Sequence, residues 1–326
     1  MPDILSRLHG LDVKTDEPLS RHTTFRIGGP ARFFVSMDNK QDLYKCLNAA
    51  RELKMSFLIL GGGSNVLISD SGFDGIVIKM NAGEINIVGN KLTVFSGNNL
   101  GAMIREAIEN KLSGLEFAAN IPGTVGGAIR GNVGTNGMSV GDFVDSVEAL
   151  EISADAVNLK KLTKEQCAFE YRDSIFNKNS NWIITEATFN LIADENSTDK
   201  LDAIKNEMQN RIANQPYDLP SAGCVFKNVS LRGPANCWAP QRDITDLTKW
   251  AINDKIPVGK LIEETGLKGK RIGGAMISEK HANFIVNVEN AKASDVMALI
   301  DLIKKMVREK FGVDLEEEIV FIGKFN

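Results

Sequence analysis

The stretch N-I-P-G-T-V-G-G-A-I-R-G at 120–131 constrains this chain more than any other. Pro122-Gly123 is a turn dipeptide, and Gly126-Gly127 leaves two successive positions without side chains. Backbone this bare lets its N–H groups approach a large or anionic ligand, and the Thr124 hydroxyl can add a hydrogen bond. The same composition also fits an ordinary glycine-rich loop, so this stretch alone does not decide between the two interpretations.

A second bare stretch, G-G-G-S-N at 61–65, favours ligand binding. Two such loops in one domain suit a dinucleotide, because backbone amides can then hold its pyrophosphate from two sides. The apolar segment 57–60 before it predicts a strand, which is the order found in a Rossmann fingerprint. The third glycine of that fingerprint is replaced by Val66, however, and 66–68 continues as strand-like sequence. The sequence therefore predicts dinucleotide binding on a different fold.

Short strands and amphipathic helices follow one another without a regular βαβ repeat, which predicts an α+β fold. Gly89-Asn90 between two apolar runs indicates a hairpin. The predicted helices are 38–54, 100–111, 196–214, 258–266 and 293–311. The predicted strands are 31–36, 57–60, 66–68, 75–79, 85–88, 92–95, 144–152, 182–191, 284–288 and 316–323.

Charge and hydropathy argue against two classes of partner. The net charge of -4 disfavours nonspecific nucleic-acid binding. No apolar run is long enough for a transmembrane helix, and the first residues lack the basic flank and apolar block of a signal peptide. The sequence therefore predicts a cytoplasmic protein with small-molecule partners and with neither a nucleic acid nor a membrane.

The cysteines and histidines are too dispersed to indicate a disulfide framework or a metal site. Cysteine stands at 46, 167, 224 and 237 with no C-x-x-C spacing, which indicates reduced thiols. Histidine stands at 9, 22 and 281, outside both glycine loops. Any dinucleotide bound at these loops is therefore predicted to be held noncovalently, since neither loop contains a histidine that could form a covalent bond to it.

Eight stretches, taken in order, carry a resemblance to a known family. They are R-H-T-T-F-R-I-G-G-P at 21–30, L-G-G-G-S-N-V-L at 60–67, I-P-G-T-V-G-G-A at 121–128, Y-R-D-S-I-F at 171–176, P-S-A-G-C-V-F-K-N at 220–228, G-K-L-I-E-E-T-G-L-K-G at 259–269, R-I-G-G-A-M-I-S-E-K-H-A-N-F-I-V-N at 271–287 and L-E-E-E-I-V-F-I-G at 315–323. Together they resemble the UDP-N-acetylenolpyruvoylglucosamine reductases, the flavoenzymes of peptidoglycan precursor synthesis.

The resemblance implies an FAD-binding domain of the vanillyl-alcohol-oxidase type, made of two α+β subdomains, followed by an α+β substrate domain. The FAD domain maps to 1–215, with a small subdomain at about 16–80 and a larger one at about 81–215. The substrate domain maps to 216–326, with an insertion at 229–257 and a last strand at about 318–323 that brings Glu318 to the active site. No extra tyrosine-bearing loop stands at 185–200, which resembles the second type of the family.

The implied reaction is reduction of UDP-N-acetylglucosamine enolpyruvate to UDP-N-acetylmuramate, with FAD as cofactor and NADPH as co-substrate. In the family, the flavin receives hydride from NADPH and N5 delivers it to C3 of the enolpyruvyl group, while a proton arrives at C2. Two alternatives remain open from the residues themselves. One is another flavin-dependent oxidoreductase of the same superfamily, and the other is a non-catalytic nucleotide-binding module, which would purify without yellow colour.

Three residues match the family's catalytic positions. Arg172 would hold the enolpyruvyl carboxylate, although an arginine in a polar loop is often only a surface charge. Glu318 would help to stabilise or protonate the intermediate, whereas Glu316 and Glu317 fit a solvated acidic face. Cys224 stands where many relatives have serine, the proton donor to C2. A thiol with a pKa of about 8.5 can serve the same role, although cysteine is more often a small buried hydrophobe.

The remaining site residues also come from the resemblance. The cofactor-binding residues are Leu60, Gly61, Gly62, Gly63, Ser64, Asn65, Val66, Leu67, Ile121, Pro122, Gly123, Thr124, Val125, Gly126, Gly127 and Ala128. The substrate-binding residues are Tyr171, Lys227, Asn228, Lys280, His281 and Asn283. No metal ligands are predicted.

Overall fold

A computed structural model describes residues 2–135, 137–231, 245–252 and 254–325. Its α-helices are α1 (Pro2–Arg7), α2 (Lys40–Glu52), α3 (Leu100–Glu109), α4 (Val125–Arg130), α5 (Ile175–Lys178), α6 (Lys200–Asn214), α7 (Thr245–Thr248), α8 (Val258–Glu264) and α9 (Ala293–Phe311). Single 3-10 turns occur at Leu19–His22, Glu116–Ala118, Val140–Asp142 and Ser197–Asp199.

The strands up to the middle of the chain are β1 (Lys14–Pro18), β2 (Pro30–Met37), β3 (Phe57–Leu60), β4 (Val66–Ile68), β5 (Phe73–Met80), β6 (Ile85–Val88), β7 (Lys91–Phe95), β8 (Leu112–Ser113), β9 (Gly134–Thr135), β10 (Met138–Ser139), β11 (Val144–Ile152), β12 (Val157–Thr163), β13 (Trp182–Asn190) and β14 (Ile192–Ala193). The later strands are β15 (Ser221–Cys224), β16 (Val229–Ser230), β17 (Lys255–Ile256), β18 (Arg271–Ile272), β19 (Ala275–Ile277), β20 (Phe284–Asn287) and β21 (Val320–Ile322).

The chain forms two compact units, each built from several segments. The first comprises Met1–Glu17, Ala31–Gly62 and Asp74–Gln209, and the second comprises Pro18–Pro30, Gly63–Phe73 and Asn210–Asn326. This division differs from the one predicted from the sequence. Two short segments of the expected small subdomain, Pro18–Pro30 and Gly63–Phe73, belong to the second unit together with the C-terminal part of the chain. The described residues of the expected insertion form β16, α7 and β17, while 232–244 and 253 lie outside the described residues.

The first unit contains two sheets with helices packed on them. One sheet has the order β1-β2-β5-β3, and α2 buries its apolar face on it through residues such as Leu43 and Leu47. The other has the antiparallel order β12-β11-β13-β7-β6, and it shares a core with α3 and α4. Each fully buried leucine or isoleucine contributes roughly 2 kcal/mol of burial free energy, so these helices are held mainly by packing.

The second unit is built around α9 and the sheet β15-β20-β19-β18. Buried residues of α9 recur at helical spacing, as in Val296, Ile300 and Ile303. The helix begins where the Asp70 carboxylate accepts hydrogen bonds from Ala293 N at 2.8 Å and Ser294 N at 3.2 Å. A separate pair joins β21 to β4 in parallel register, so the end of the described chain lies beside the segment that follows the first glycine loop.

The α+β prediction is confirmed by this mixture of helices and largely antiparallel sheets. The hairpin predicted at Gly89-Asn90 joins β6 and β7. Several predicted helices and strands differ from the structure by a few residues at their ends, and two stretches differ more. The second glycine stretch contains α4 and is not loop throughout, and the last strand is shorter than 316–323 because 316–318 bonds to a different segment.

Candidate cofactor and active site

The two glycine stretches meet inside the first unit. A Cβ added at Gly61 would lie 2.5 Å from Thr124 Oγ1, and one added at Gly62 would lie 3.0 Å from Gly123 Cα. The first distance is too short for a contact and the second is tight, so glycine at these positions lets the first loop lie against the Thr124 side chain and the Gly123 backbone.

The second stretch is held rigidly by its surroundings. The side chain of Thr124 caps α4 by accepting a hydrogen bond from Gly127 N at 3.4 Å. Gly126 N donates to Ser96 O at 2.8 Å, and Val125 N donates to Asn98 O at 2.9 Å. These bonds fix the turn from Gly123 into the helix and define where its backbone N–H groups point.

Some backbone N–H groups have no protein acceptor where the loops meet. Within the described part of the chain, the N–H groups of Gly62 and Gly123 donate to no protein acceptor. Both glycines are half-buried, so their N–H groups can donate to solvent or, in its place, to an anionic ligand. The residues present therefore fit the pyrophosphate of a dinucleotide.

The rest of the first loop lies in the second unit and is tied to the strand that carries Cys224. Thr24 N donates to Gly63 O at 3.1 Å, while Thr24 Oγ1 donates to Ser221 O at 2.7 Å. One residue therefore connects the loop with β15. Thr24 was not among the predicted site residues, although it lies in the R-H-T-T-F-R-I-G-G-P stretch; a short side-chain contact across 197 positions leaves no local sequence signal.

Cys224 and Glu318 lie on two segments that bond to each other. Glu318 N donates to Val225 O at 2.7 Å, and Lys227 N donates to Glu316 O at 2.9 Å. Cys224 ends β15 and is half-buried, as is Glu318. Asn65 Nδ2 also donates to Glu318 O at 3.0 Å, which ties the first glycine loop to the same segment.

The three described cysteines differ in environment, and none forms a disulfide with another described residue. Cys46 and Cys167 are fully buried, and burial raises the pKa of each to about 12, with Glu165 adding to the effect at Cys167. Cys224 is half-buried. Cys237 lies outside the described residues.

Arg172 lies in the first unit in an unusual backbone conformation. Its φ is 56°, in the left-handed region that a residue with a side chain adopts at a cost. Its Nη1 donates to Gly134 O at 2.8 Å, and its guanidinium lies 5.6 Å from the ring centroid of Tyr171. Ser174 Oγ donates to Arg130 O at 2.7 Å, which fixes this segment to the end of α4.

The predicted substrate residues divide by what their side chains contact in the second unit. Lys227 pairs with Glu316, and Lys280 lies 3.0 Å from the carboxylate of Asp218. Asn228 Oδ1 accepts a hydrogen bond from Val258 N at 3.1 Å, at the start of α8. The two lysines are at least partly exposed, so they can exchange these partners for an anionic ligand, whereas Asn228 serves the fold.

Asn283 and His281 support the Cys224 segment from the turn that precedes β20. The Asn283 amide is 3% exposed and bonds to both backbone groups of Phe226. His281 Nδ1 accepts from Asn283 N at 3.2 Å, and its ring packs on Phe284 at 4.9 Å between centroids. Burial lowers the pKa of His281 below its ordinary value, so its imidazole is neutral near pH 7.

Glu317 is less exposed to solvent than the sequence predicted for it. Its carboxylate lies 2.8 Å from Lys304 Nζ, and its side chain is only 23% exposed. Glu316, paired with Lys227, is 70% exposed. The described residues contain no group of three or more side chains arranged to hold a metal ion, and none of the described helices is long and apolar enough to cross a membrane.

Two family models match most of the chain. The C-terminal domain of UDP-N-acetylenolpyruvoylglucosamine reductase matches residues 215–322, and an FAD binding domain matches residues 31–157. The first match contains the Cys224 segment, and the second contains both glycine stretches.

Curated relatives match over nearly their full length. The UDP-N-acetylenolpyruvoylglucosamine reductase of Clostridioides difficile is 37% identical over 327 residues, which cover 99% of this chain and 97% of the relative. That of a Thermotoga species is 40% identical over 95% of this chain and 93% of the relative. The solved reductase of the same name from Thermus caldophilus aligns with a TM-score of 0.71 at 31% identity, covering 96% and 99% of the two chains.

Proposed function

The chain belongs to the UDP-N-acetylenolpyruvoylglucosamine reductase family, and we propose that Cys224, Arg172 and Glu318 carry out its chemistry on UDP-N-acetylglucosamine enolpyruvate, with NADPH as the source of hydride. The observation that most supports this is the hydrogen bond from Glu318 N to Val225 O, which sets Glu318 beside the segment that carries Cys224. The protein is an FAD-dependent reductase, and FAD when bound supplies hydride transfer.

Cys224 donates the proton to C2. A thiol with an ordinary pKa of about 8.5 is mostly protonated at pH 7 and gives up its proton more readily than an alcohol. Its half-buried position at the end of β15 is accessible to a small molecule, unlike the positions of Cys46 and Cys167. The hydrogen bond from Thr24 to Ser221 holds the strand in place while the proton moves.

Arg172 binds the enolpyruvyl carboxylate. A planar guanidinium can donate hydrogen bonds to both carboxylate oxygens in one plane, and it stabilises the negative charge that develops when hydride reaches C3. Its left-handed backbone and its bond to Gly134 O fix the side chain before substrate arrives. Glu318, on the segment that is hydrogen-bonded to the Cys224 segment, stabilises or protonates the intermediate.

Lys227 and Lys280 contact the diphosphate of the UDP-sugar. Each is now paired with an exposed carboxylate, Glu316 or Asp218, and such pairs are weak enough to be replaced by a doubly charged ligand. The UDP-sugar and NADPH are metabolites of the cytoplasm, where the protein is expected to act.

The test follows each half of the reaction by the flavin absorbance in stopped flow. NADPH should bleach the purified yellow protein, and UDP-N-acetylglucosamine enolpyruvate should restore the colour. Cys224→Ala should leave bleaching unchanged and slow recovery of the colour by about 10²- to 10⁴-fold, while Cys224→Ser should recover at a comparable rate to wild type.

The matched control is Cys167→Ala, which removes a buried thiol that the mechanism does not use. It should leave both phases unchanged. Normal recovery of the colour in Cys224→Ala would exclude Cys224 as the donor, and a colourless wild-type protein that takes up no FAD would exclude the reductase activity itself.

A further inference from the structure

Lys79 lies at the base of the first glycine stretch. It is the last but one residue of β5, where it stands in register with Leu60 of the parallel strand β3. Its half-buried side chain reaches past Leu60, and Nζ donates a hydrogen bond to Gly61 O. The ammonium therefore lies at the position where Gly61 and Gly62 approach Gly123 and Thr124.

The positive charge of Lys79 has no counter-charge in the described part of the chain. Its recorded partner is the neutral carbonyl of Gly61, and no described carboxylate lies within ion-pair distance. Burial lowers its pKa, as is expected of an ammonium removed from water without an anion. At neutral pH the folded protein therefore carries a charge that is poorly compensated.

Lys40, which is less buried than Lys79, is a lysine of the same unit whose charge is compensated by carboxylates. Its Nζ lies 3.0 Å from Glu186 and is also paired with Glu148. Burial acts to lower its pKa, but the two carboxylates outweigh burial and raise it. The contrast shows that the missing anion at Lys79 is a property of the site and not of half-buried lysines in this protein.

We propose that Lys79 binds the diphosphate of FAD and supplies a positive charge beside the neutral backbone donors of Gly62 and Gly123. This rests on the FAD dependence that the family membership establishes. The backbone N–H groups of Gly62 and Gly123 can donate hydrogen bonds, but they cannot neutralise two negative charges. Lys79 can neutralise one of these two charges, and a diphosphate within reach would supply the counter-charge that Lys79 lacks in the protein.

A purely structural role makes a different prediction. If Lys79 only tethers Gly61 O, then removing its amine should destabilise the apoprotein, because the carbonyl loses its donor. If Lys79 binds the diphosphate, removing its charge should leave the apoprotein as stable as wild type or more stable, and the cost should appear only when FAD binds.

The experiment measures FAD affinity by flavin fluorescence and the melting temperature of the apoprotein in four variants. Lys79→Arg keeps the charge, Lys79→Gln keeps a donor without charge, and Lys79→Met keeps neither. We expect Lys79→Arg to bind FAD within about threefold of wild type and the other two to bind about tenfold to a hundredfold more weakly. Lys40→Met is the control, and it should lower the apoprotein melting temperature without weakening FAD binding.

Raising the salt concentration should weaken FAD binding more in wild type than in Lys79→Gln, since only wild type has the charge to be screened. The inference is overturned if Lys79→Gln binds FAD within twofold of wild type, or if Lys79→Gln and Lys79→Met lower the apoprotein melting temperature as Lys40→Met does. A wild-type protein that binds no FAD would instead contradict the proposed function.

Discussion

Asn283 holds the main chain of Phe226 with both ends of its amide. Nδ2 donates to Phe226 O at 2.8 Å, and Oδ1 accepts from Phe226 N at 3.0 Å. Phe226 follows Cys224 by two positions, so this buried side chain fixes the segment that carries the proposed proton donor. A residue expected to touch substrate therefore has both ends of its amide occupied by the protein backbone.

The first prediction is that Asn283→Ala destabilises the protein by about 2–4 kcal/mol, because two buried backbone groups lose their partners. Urea denaturation measures this free energy of unfolding. The control Asn214→Ala removes an exposed amide that bonds to Asn210 O, and it should change stability by less than about 0.5 kcal/mol. Equal effects of the two substitutions would contradict the role assigned to Asn283.

The second prediction is that peroxide inactivates the enzyme through Cys224. Thiolates react with peroxide and alcohols do not, so Cys224→Ser should keep its activity under conditions that inactivate wild type. Cys46 and Cys167 are buried with pKa values raised to about 12, and they should remain unmodified. Peptide mass spectrometry after a timed peroxide exposure locates the oxidised residue; modification at Cys46 or Cys167 with Cys224 intact would contradict the prediction.

The third prediction separates the two properties of Arg172. Arg172→Ala and Arg172→Gly should both lower the rate at which substrate reoxidises the flavin, by about 10²- to 10³-fold, because both remove the guanidinium. Arg172→Gly should be more stable than Arg172→Ala by about 1 kcal/mol, since glycine adopts a φ of 56° without strain. Thermal unfolding compares the pair, and equal stability would show that the backbone at 172 is relaxed.

The fourth prediction concerns acid. The neutral imidazole of His281 accepts a hydrogen bond from Asn283 N. Burial is the main cause that lowers the pKa of His281; the charge of Lys268 also lowers this pKa, and the charge of Glu263 raises it. A depressed pKa means that this stabilising contribution is complete above about pH 6.5 and is lost as the pH falls through the lower, folded-state pKa.

The free energy of unfolding should therefore fall between pH 7.5 and pH 5, as urea denaturation can measure. It should fall less in His281→Gln, which has no group to titrate. His9→Gln is the control, and its profile should follow wild type. A steeper fall in His281→Gln than in wild type would contradict the assignment.

The sequence was sufficient where the signal is local. The Gly89-Asn90 hairpin and the apolar stripe of α9 depend on residues within a few positions, and both are found as predicted. The helix inside the second glycine stretch was missed, since glycines argue against a helix. A local signal for it existed in Thr124, whose side chain caps α4.

The site was harder to predict because its contacts join distant segments. β15 contains Gly223 with a φ of 80°, which looks like loop sequence, and it becomes a strand only by pairing with β20. The contrast between Lys79 and Lys40 depends on which side chains surround each amine, and neither position is marked in the sequence. The roles of the catalytic and substrate residues remain predictions, which the experiments above test.

The parallel pairing of β21 with β4 has a consequence for biosynthesis. Next to this pairing, the side chain of Asn65 donates a hydrogen bond to the backbone oxygen of Glu318. These two residues are 253 positions apart in the sequence. At ribosomal rates that interval takes on the order of tens of seconds, during which the nascent loop has emerged without its partner. The first glycine loop therefore completes its hydrogen bonding only after translation has passed Glu318.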